Sequence, residues 1–157
     1  MKRIFLTLLL AVASIFSYAG TPAEDLINSA TGTKGVQVIE ATGFVMKFAR
    51  SAIRKTPMKP LANQVTGVTV CKMEKGTPEF ISKFEAELRD TLKSYKYYGI
   101  KPGEEGRLVE TYSNFPVDGI VTEIVIFNPE LHSVFSLRGE YTVDELLSLD
   151  KNNAANK

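Results

Sequence analysis

The chain has 157 residues, 44% of them hydrophobic and 24% charged, with a single His and a single Cys. That length and apolar content exclude a disordered or low-complexity chain and fit one domain around one core. Lys+Arg 19 against Asp+Glu 18 gives a formal charge of +1, which points to no partner, and His132 with Cys71 as the sole members of their types exclude a multi-His or multi-Cys metal cage, a CxxC redox pair and an internal disulfide framework.

Met1-Lys2-Arg3 followed by the apolar run Ile4 to Phe16 has the basic head and short hydrophobic stretch of a secretory signal peptide. Ser17-Tyr18-Ala19 places small residues first and third before a scissile bond, so residues 1–19 read as the leader and Gly20 as the mature start. A retained membrane anchor is the rival reading. The run is shorter than the roughly 20 apolar residues that span a bilayer, and polar Thr21-Pro22-Ala23-Glu24-Asp25 follows it. No Cys adjoins the cleavage site. The expectation is therefore an exported protein, periplasmic or secreted, that is not a lipoprotein and keeps no transmembrane segment after cleavage.

Thr21-Pro22-Ala23-Glu24 is a capping box with Pro at the first helical position, predicting a short helix from Pro22 to about Ala30. Val36 to Glu40, between Gly35 and Gly43, reads as a strand. From Phe44 to about Lys55 the pattern is amphipathic, with Val45, Phe48, Ala49, Ala52 and Ile53 on the expected inward side and Lys47, Arg50, Ser51, Arg54 and Lys55 on the other. Pro57 and Pro60 end it. Gly67 to Met73 is a second strand. The longest helix is capped by Thr77 and carries Phe80, Phe84, Leu88, Leu92 and Tyr95 as one stripe. Arg107 to Tyr112, Gly119 to Phe127 and Leu131 to Arg138 read as three strands of an antiparallel meander, with Asn128-Pro129-Glu130 as a turn. Thr142-Val143-Asp144-Glu145 is a second capping box opening a helix through Leu149.

This order predicts an α+β fold: a two-layer sandwich, with a mixed sheet of about five strands ending in the meander and helices packed on the sheet. Residues 20–150 form the single domain and 151–157 a flexible tail. Gly119 to Phe127 is apolar on both alternations, as a central strand covered on both faces should be.

The chemistry-bearing residues do not assemble into a motif. Cys71 sits in a predicted strand, where a small buried thiol is the ordinary role, and nothing in the sequence brings His132 to it. The acid pairs Glu104-Glu105, Glu85 with Glu87 and Asp144-Glu145 are accounted for by a turn, a solvent-facing helix side and a helix N-terminus. Gly32-Thr33-Lys34-Gly35 lacks phosphate-loop spacing, and GxSxG and HExxH are absent. No catalytic, cofactor-binding or metal-binding residue is assigned. Charge segregation is the feature above background. Between Ala41 and Met73 there are six bases, Lys47, Arg50, Arg54, Lys55, Lys59 and Lys72, and no acid. Lys47, Arg50, Arg54 and Lys55 are thus candidates for binding an anionic surface, either lipid headgroups or an acidic envelope protein; the alternative is a solvated face balanced by acids elsewhere in the fold. Nucleic acid is not expected as a partner.

Three stretches carry a likeness: Asp118 to Ile126, then Val134 to Tyr141 with Gly139 near its end, then Thr142 to Leu147, with Val65 to Tyr97 similar upstream. From about Gly35 to Leu149 the chain resembles the DUF4252 family of exported Gram-negative envelope proteins, a domain of unknown function with no catalytic signature to transfer. Many members of that family are lipoproteins, and this chain departs from them in lacking the cleavage-site Cys. The resemblance implies a non-enzymatic binding or accessory domain of the cell envelope. Two alternatives stand beside it: an accessory of extracytoplasmic sigma-factor signalling, and a hydrolase with an unrecognised site.

Overall fold

The structure, a computed structural model, describes residues 20–102 and 107–154. The leader expected over 1–19 and the pair Glu104-Glu105 lie outside them. Along the chain run α1 (Pro22–Ser29), β1 (Gln37–Thr42), a 3-10 turn (Gly43–Val45), α2 (Met46–Ile53), a second 3-10 turn (Lys59–Leu61), β2 (Val65–Lys72), α3 (Pro78–Leu92), β3 (Lys96–Pro102), β4 (Leu108–Ser113), β5 (Ile120–Asn128), β6 (Ser133–Thr142) and α4 (Val143–Ala154).

The fold is α+β. Its sheet has six strands in the order β1-β2-β6-β5-β4-β3. Every neighbouring pair is antiparallel, so the sheet is not mixed. The strand beyond the expected five is β3, which starts directly after Tyr95, the last residue of the stripe expected on the long helix. Asp118 and Gly119, at φ of 51° and 77°, make the tight reversal that leads into β5, closed by the Val117–Ile120 pair. Gly35, at φ 78°, starts β1 so close to the β2–α3 turn that a Cβ there would lie 1.9 Å from the Lys75 carbonyl oxygen. Only glycine fits.

Helices lie on both faces of the sheet. On the first, α1 and α3 bury Ala23, Ile27, Phe84, Leu88 and Leu92 against Cys71, Val125, Phe127 and Val134. The stripe expected on α3 is the one it buries, with Phe80 partly covered at its start. On the second, Met46 of α2 and Leu146 and Leu149 of α4 pack on Val68, Ile124, Leu137 and Tyr141. Side-chain caps hold the helix starts: Thr21 Oγ1 accepts from Glu24 N, Thr77 Oγ1 from Phe80 N, and Thr142 with Glu145 closes a reciprocal box at 3.1 and 2.8 Å. The final helix continues past the expected Leu149 to Ala154, into the segment read as tail.

Candidate functional site

α2 meets the sheet through only part of the side expected from the sequence: Ala49 and Ile53 face inward as expected, but Val45 and Phe48 do not. Met46 is its buried residue, with Ala49 and Ile53 partly covered, whereas Phe44 and Phe48 are 73% and 69% exposed and Val45 is exposed too. The reason lies in the segment itself, which has apolar residues on both sides. The smaller Met46–Ala49–Ile53 line meets the sheet more closely than the phenylalanines could. The two rings touch edge to face with centroids 6.3 Å apart, and Lys47 Nζ sits 5.3 Å from the Phe44 centroid.

The four candidate bases all lie on this element and its end. Arg50 Nε donates to the Val65 carbonyl at 3.0 Å and an Arg54 Nη donates to Asn63 Oδ1 at 2.9 Å. Both partners are neutral, so those bonds orient the guanidinium groups without cancelling their charge. Among the described residues no carboxylate forms an ion pair with any of the six bases between Ala41 and Met73. The result is a protruding aromatic pair set in uncompensated positive charge.

On the first face a polar cluster is built into the core. Arg138 of β6 places Nε 2.7 Å from Glu24 Oε1 of α1 and a second nitrogen 3.2 Å from Glu40 Oε1 of β1. Glu24 is 3% exposed. Burial pushes its carboxyl above the usual range, and Arg138 and the Thr21 backbone N–H draw it back. Beside it, Glu123 of β5 is 1% exposed and accepts from Tyr95 Oη at 3.2 Å and Ser136 Oγ at 3.1 Å. Its carboxyl is likewise raised by burial, and Thr21, Ser136 and Tyr95 oppose the shift by hydrogen bonding. The Tyr95 hydroxyl, pushed to about 12 by burial and the Glu123 charge, accepts from the Ala23 N–H at 3.2 Å. This cluster clamps α1 to the sheet. It was not legible from sequence spacing, because its members come from four elements, α1, β1, β5 and β6, and from Thr21 and Tyr95 beside them.

Cys71 and His132 stay apart in role. Cys71 is fully buried in the first core, and burial raises its thiol to about 11, far from a reactive thiolate. His132 Nδ1 is 2.7 Å from Glu85 Oε1, which ties the β5–β6 turn to α3. Glu87 pairs loosely with Lys83 at 3.9 Å on the solvent side. The described residues hold no group of three or more His, Cys, Asp or Glu arranged for a metal ion, and none of their helices is long and apolar enough to cross a membrane.

On the second face α2 and α4 leave part of the sheet uncovered. Between them lies an apolar cleft of about 440 Å³, floored by strand residues and walled by Ala49, Ala52 and Ile53 of α2, Met58 and Leu149. Sequence reasoning missed this feature, which joins distant elements. No protein-family model, no curated protein and no solved structure matches the chain.

Proposed function

We propose that this chain is an exported, non-enzymatic binding domain of the bacterial envelope, of DUF4252-like type, that docks on anionic membrane surfaces through α2. The observation that carries the reading is the exposed Phe44–Phe48 pair framed by Lys47, Arg50, Arg54 and Lys55 in a segment with no acid between Ala41 and Met73. Aromatic side chains seat at the boundary between headgroups and acyl chains, and each nearby base contributes about 1 kcal/mol at an anionic leaflet. A lipid surface fits this pairing better than an acidic protein does, because the rings project from the fold instead of lining a recess. The leader over 1–19 supports export. The buried thiol of Cys71, raised to about 11, supports a binding role over thiol-based hydrolysis.

The test is flotation of the purified protein with vesicles of phosphatidylcholine alone or mixed with phosphatidylglycerol. Binding is expected only to the mixed vesicles, and it should weaken as salt shortens the screening length. Lys47→Glu with Lys55→Glu should reduce it at least tenfold, and Phe44→Ser with Phe48→Ser should also do so while the residual binding keeps its salt dependence, since the bases remain. Wild-type protein that ignores the mixed vesicles at low salt would refute the proposal.

A further inference from the structure

We propose that the cleft on the second face is a binding site for a single long acyl chain with an anionic head. The inference does not depend on membrane docking.

The floor is one continuous cross-strand row. Ile39 pairs with Val70, Val70 with Phe135, Phe135 with Ile126 and Ile126 with Thr111. Five strands at spacings of about 4.8 Å make this row roughly 19 Å long. Val70, Phe135 and Ile126 are only partly covered, in the middle of a sheet whose other face is sealed. A volume of about 440 Å³ falls within the range of sites for small ligands.

The chemistry of the lining selects a hydrocarbon over a peptide. β2, β6 and β5 each have a strand on both sides and spend their backbone groups on those neighbours. A polypeptide laid along the trough would press its own N–H and C=O groups against aliphatic side chains that offer no partner, a costly burial. An alkyl chain carries no such groups.

The next row along the same face supplies the polar end. Lys72 pairs across to Ser133, and Ser133 to Asn128. Asn128 Oδ1 is already taken by the Leu131 N–H at 3.0 Å, so what its amide offers a ligand is the NH2. With the exposed ammonium of Lys72 and the Ser133 hydroxyl, this row presents donors to a carboxylate or a phosphate. Glu74, two residues beyond the end of β2, is the single acid on the lining, and Lys72 is its single base. Lys72 forms no ion pair with it among the described residues.

The test is calorimetric titration of the purified protein, without vesicles, with octanoate, decanoate and dodecanoate below their micelle concentrations, and with dodecanol and dodecyl phosphate. Saturable binding with one site is expected, with affinity rising roughly fourfold per added methylene. Lys72→Ala should weaken dodecanoate and dodecyl phosphate and leave dodecanol unchanged; whichever anion binds more tightly identifies the head. Ala52→Trp, at an exposed helix position on the cleft wall, should fill the trough and lower dodecanoate affinity at least tenfold at an unchanged urea midpoint. Ile39→Trp on the edge strand serves if that variant is unstable. Absence of saturable binding, equal affinity for octanoate and dodecanoate, or full binding by a folded Trp variant would overturn the proposal.

Discussion

Replacing Arg138 by Met isolates the buried cluster that holds α1 to the sheet. Arg138 is 16% exposed at its side chain and serves two carboxylates, Glu24 at 2.7 Å and Glu40 at 3.2 Å. The Glu40 side chain is 54% exposed, so its pairing contributes at most about 1 kcal/mol. Glu24 differs because it is buried. Removing one partner of a buried pair strands the other charge and costs about 3–5 kcal/mol. With a urea slope of about 1–3 kcal/mol/M, a loss near 4 kcal/mol lowers the midpoint by about 2 M. The cost is set by the stranded charge and not by the missing side chain, which gives two checks. Adding Glu24→Leu to Arg138→Met should restore most of the midpoint. The pH dependence should also have a definite sign. Without Arg138 the Glu24 carboxyl is raised further by burial, so the folded state holds its proton more tightly than the unfolded chain, whose reference is 4.5. The variant therefore keeps its stability below that pH and loses it as pH rises through the folded value, and its deficit against the parent narrows in acid. Urea titrations near the ordinary carboxylate pKa and at neutrality decide the matter. An equal deficit at both, or a double variant no better than the single one, would refute the reasoning.

Phe84→Ala should cost about 3–5 kcal/mol through lost transfer energy and a cavity in the first core, where the ring is 3% exposed and 5.8 Å from Phe80. Lys83→Ala, at a side chain 78% exposed, should change stability by no more than about 0.5 kcal/mol; equal midpoint shifts would mean that α3 does not pack by that stripe. Cys71 should resist a thiol reagent at neutral pH in the native protein and react fully in denaturant, since its thiol is buried and raised to about 11. Modification of the native protein at the denatured rate would contradict its place in the core.

Local signals were legible where one residue pattern admitted one structure. The Thr21, Thr77 and Thr142 caps, the α3 stripe and the doubly apolar β5 are of this kind. β3 was hidden because Tyr95 continues the helical spacing from Leu92, while Gly99, at φ 94°, sits in the irregular stretch of pairing between Tyr97 and Ile100 and breaks the strand alternation. The inward side of α2 was legible in part: Ala49 and Ile53 do meet the sheet, but Met46 completes that side where Val45 and Phe48 were expected, because periodicity alone cannot rank neighbouring apolar residues around a short helix. The candidate bases were legible as a run of charge, but whether each would be compensated depended on partners such as Val65 and Asn63. The cleft and the Glu24–Arg138 pair had no local signature. Each exists only after β6 has been placed between β2 and β5.

That placement has a consequence for the order of events in the life of the chain. β6 is the last of the six described strands in chain order, yet it sits inside the sheet and joins β2 on one side to β5 on the other. Before Ser133 to Thr142 emerges, β1 with β2 and β3 with β4 and β5 are two separate groups, each with an unsatisfied edge, and both cores lack a contributor: Val134 on one face, Leu137 and Tyr141 on the other. Sequence-distant pairing of this sort closes slowly. A chain built this way cannot complete its sheet from β1 onward, and both cores stay open until β6 has joined its two neighbours. The same delay exposes two sticky edges to neighbouring chains, and a truncation before β6 would leave aggregation as the main alternative to degradation.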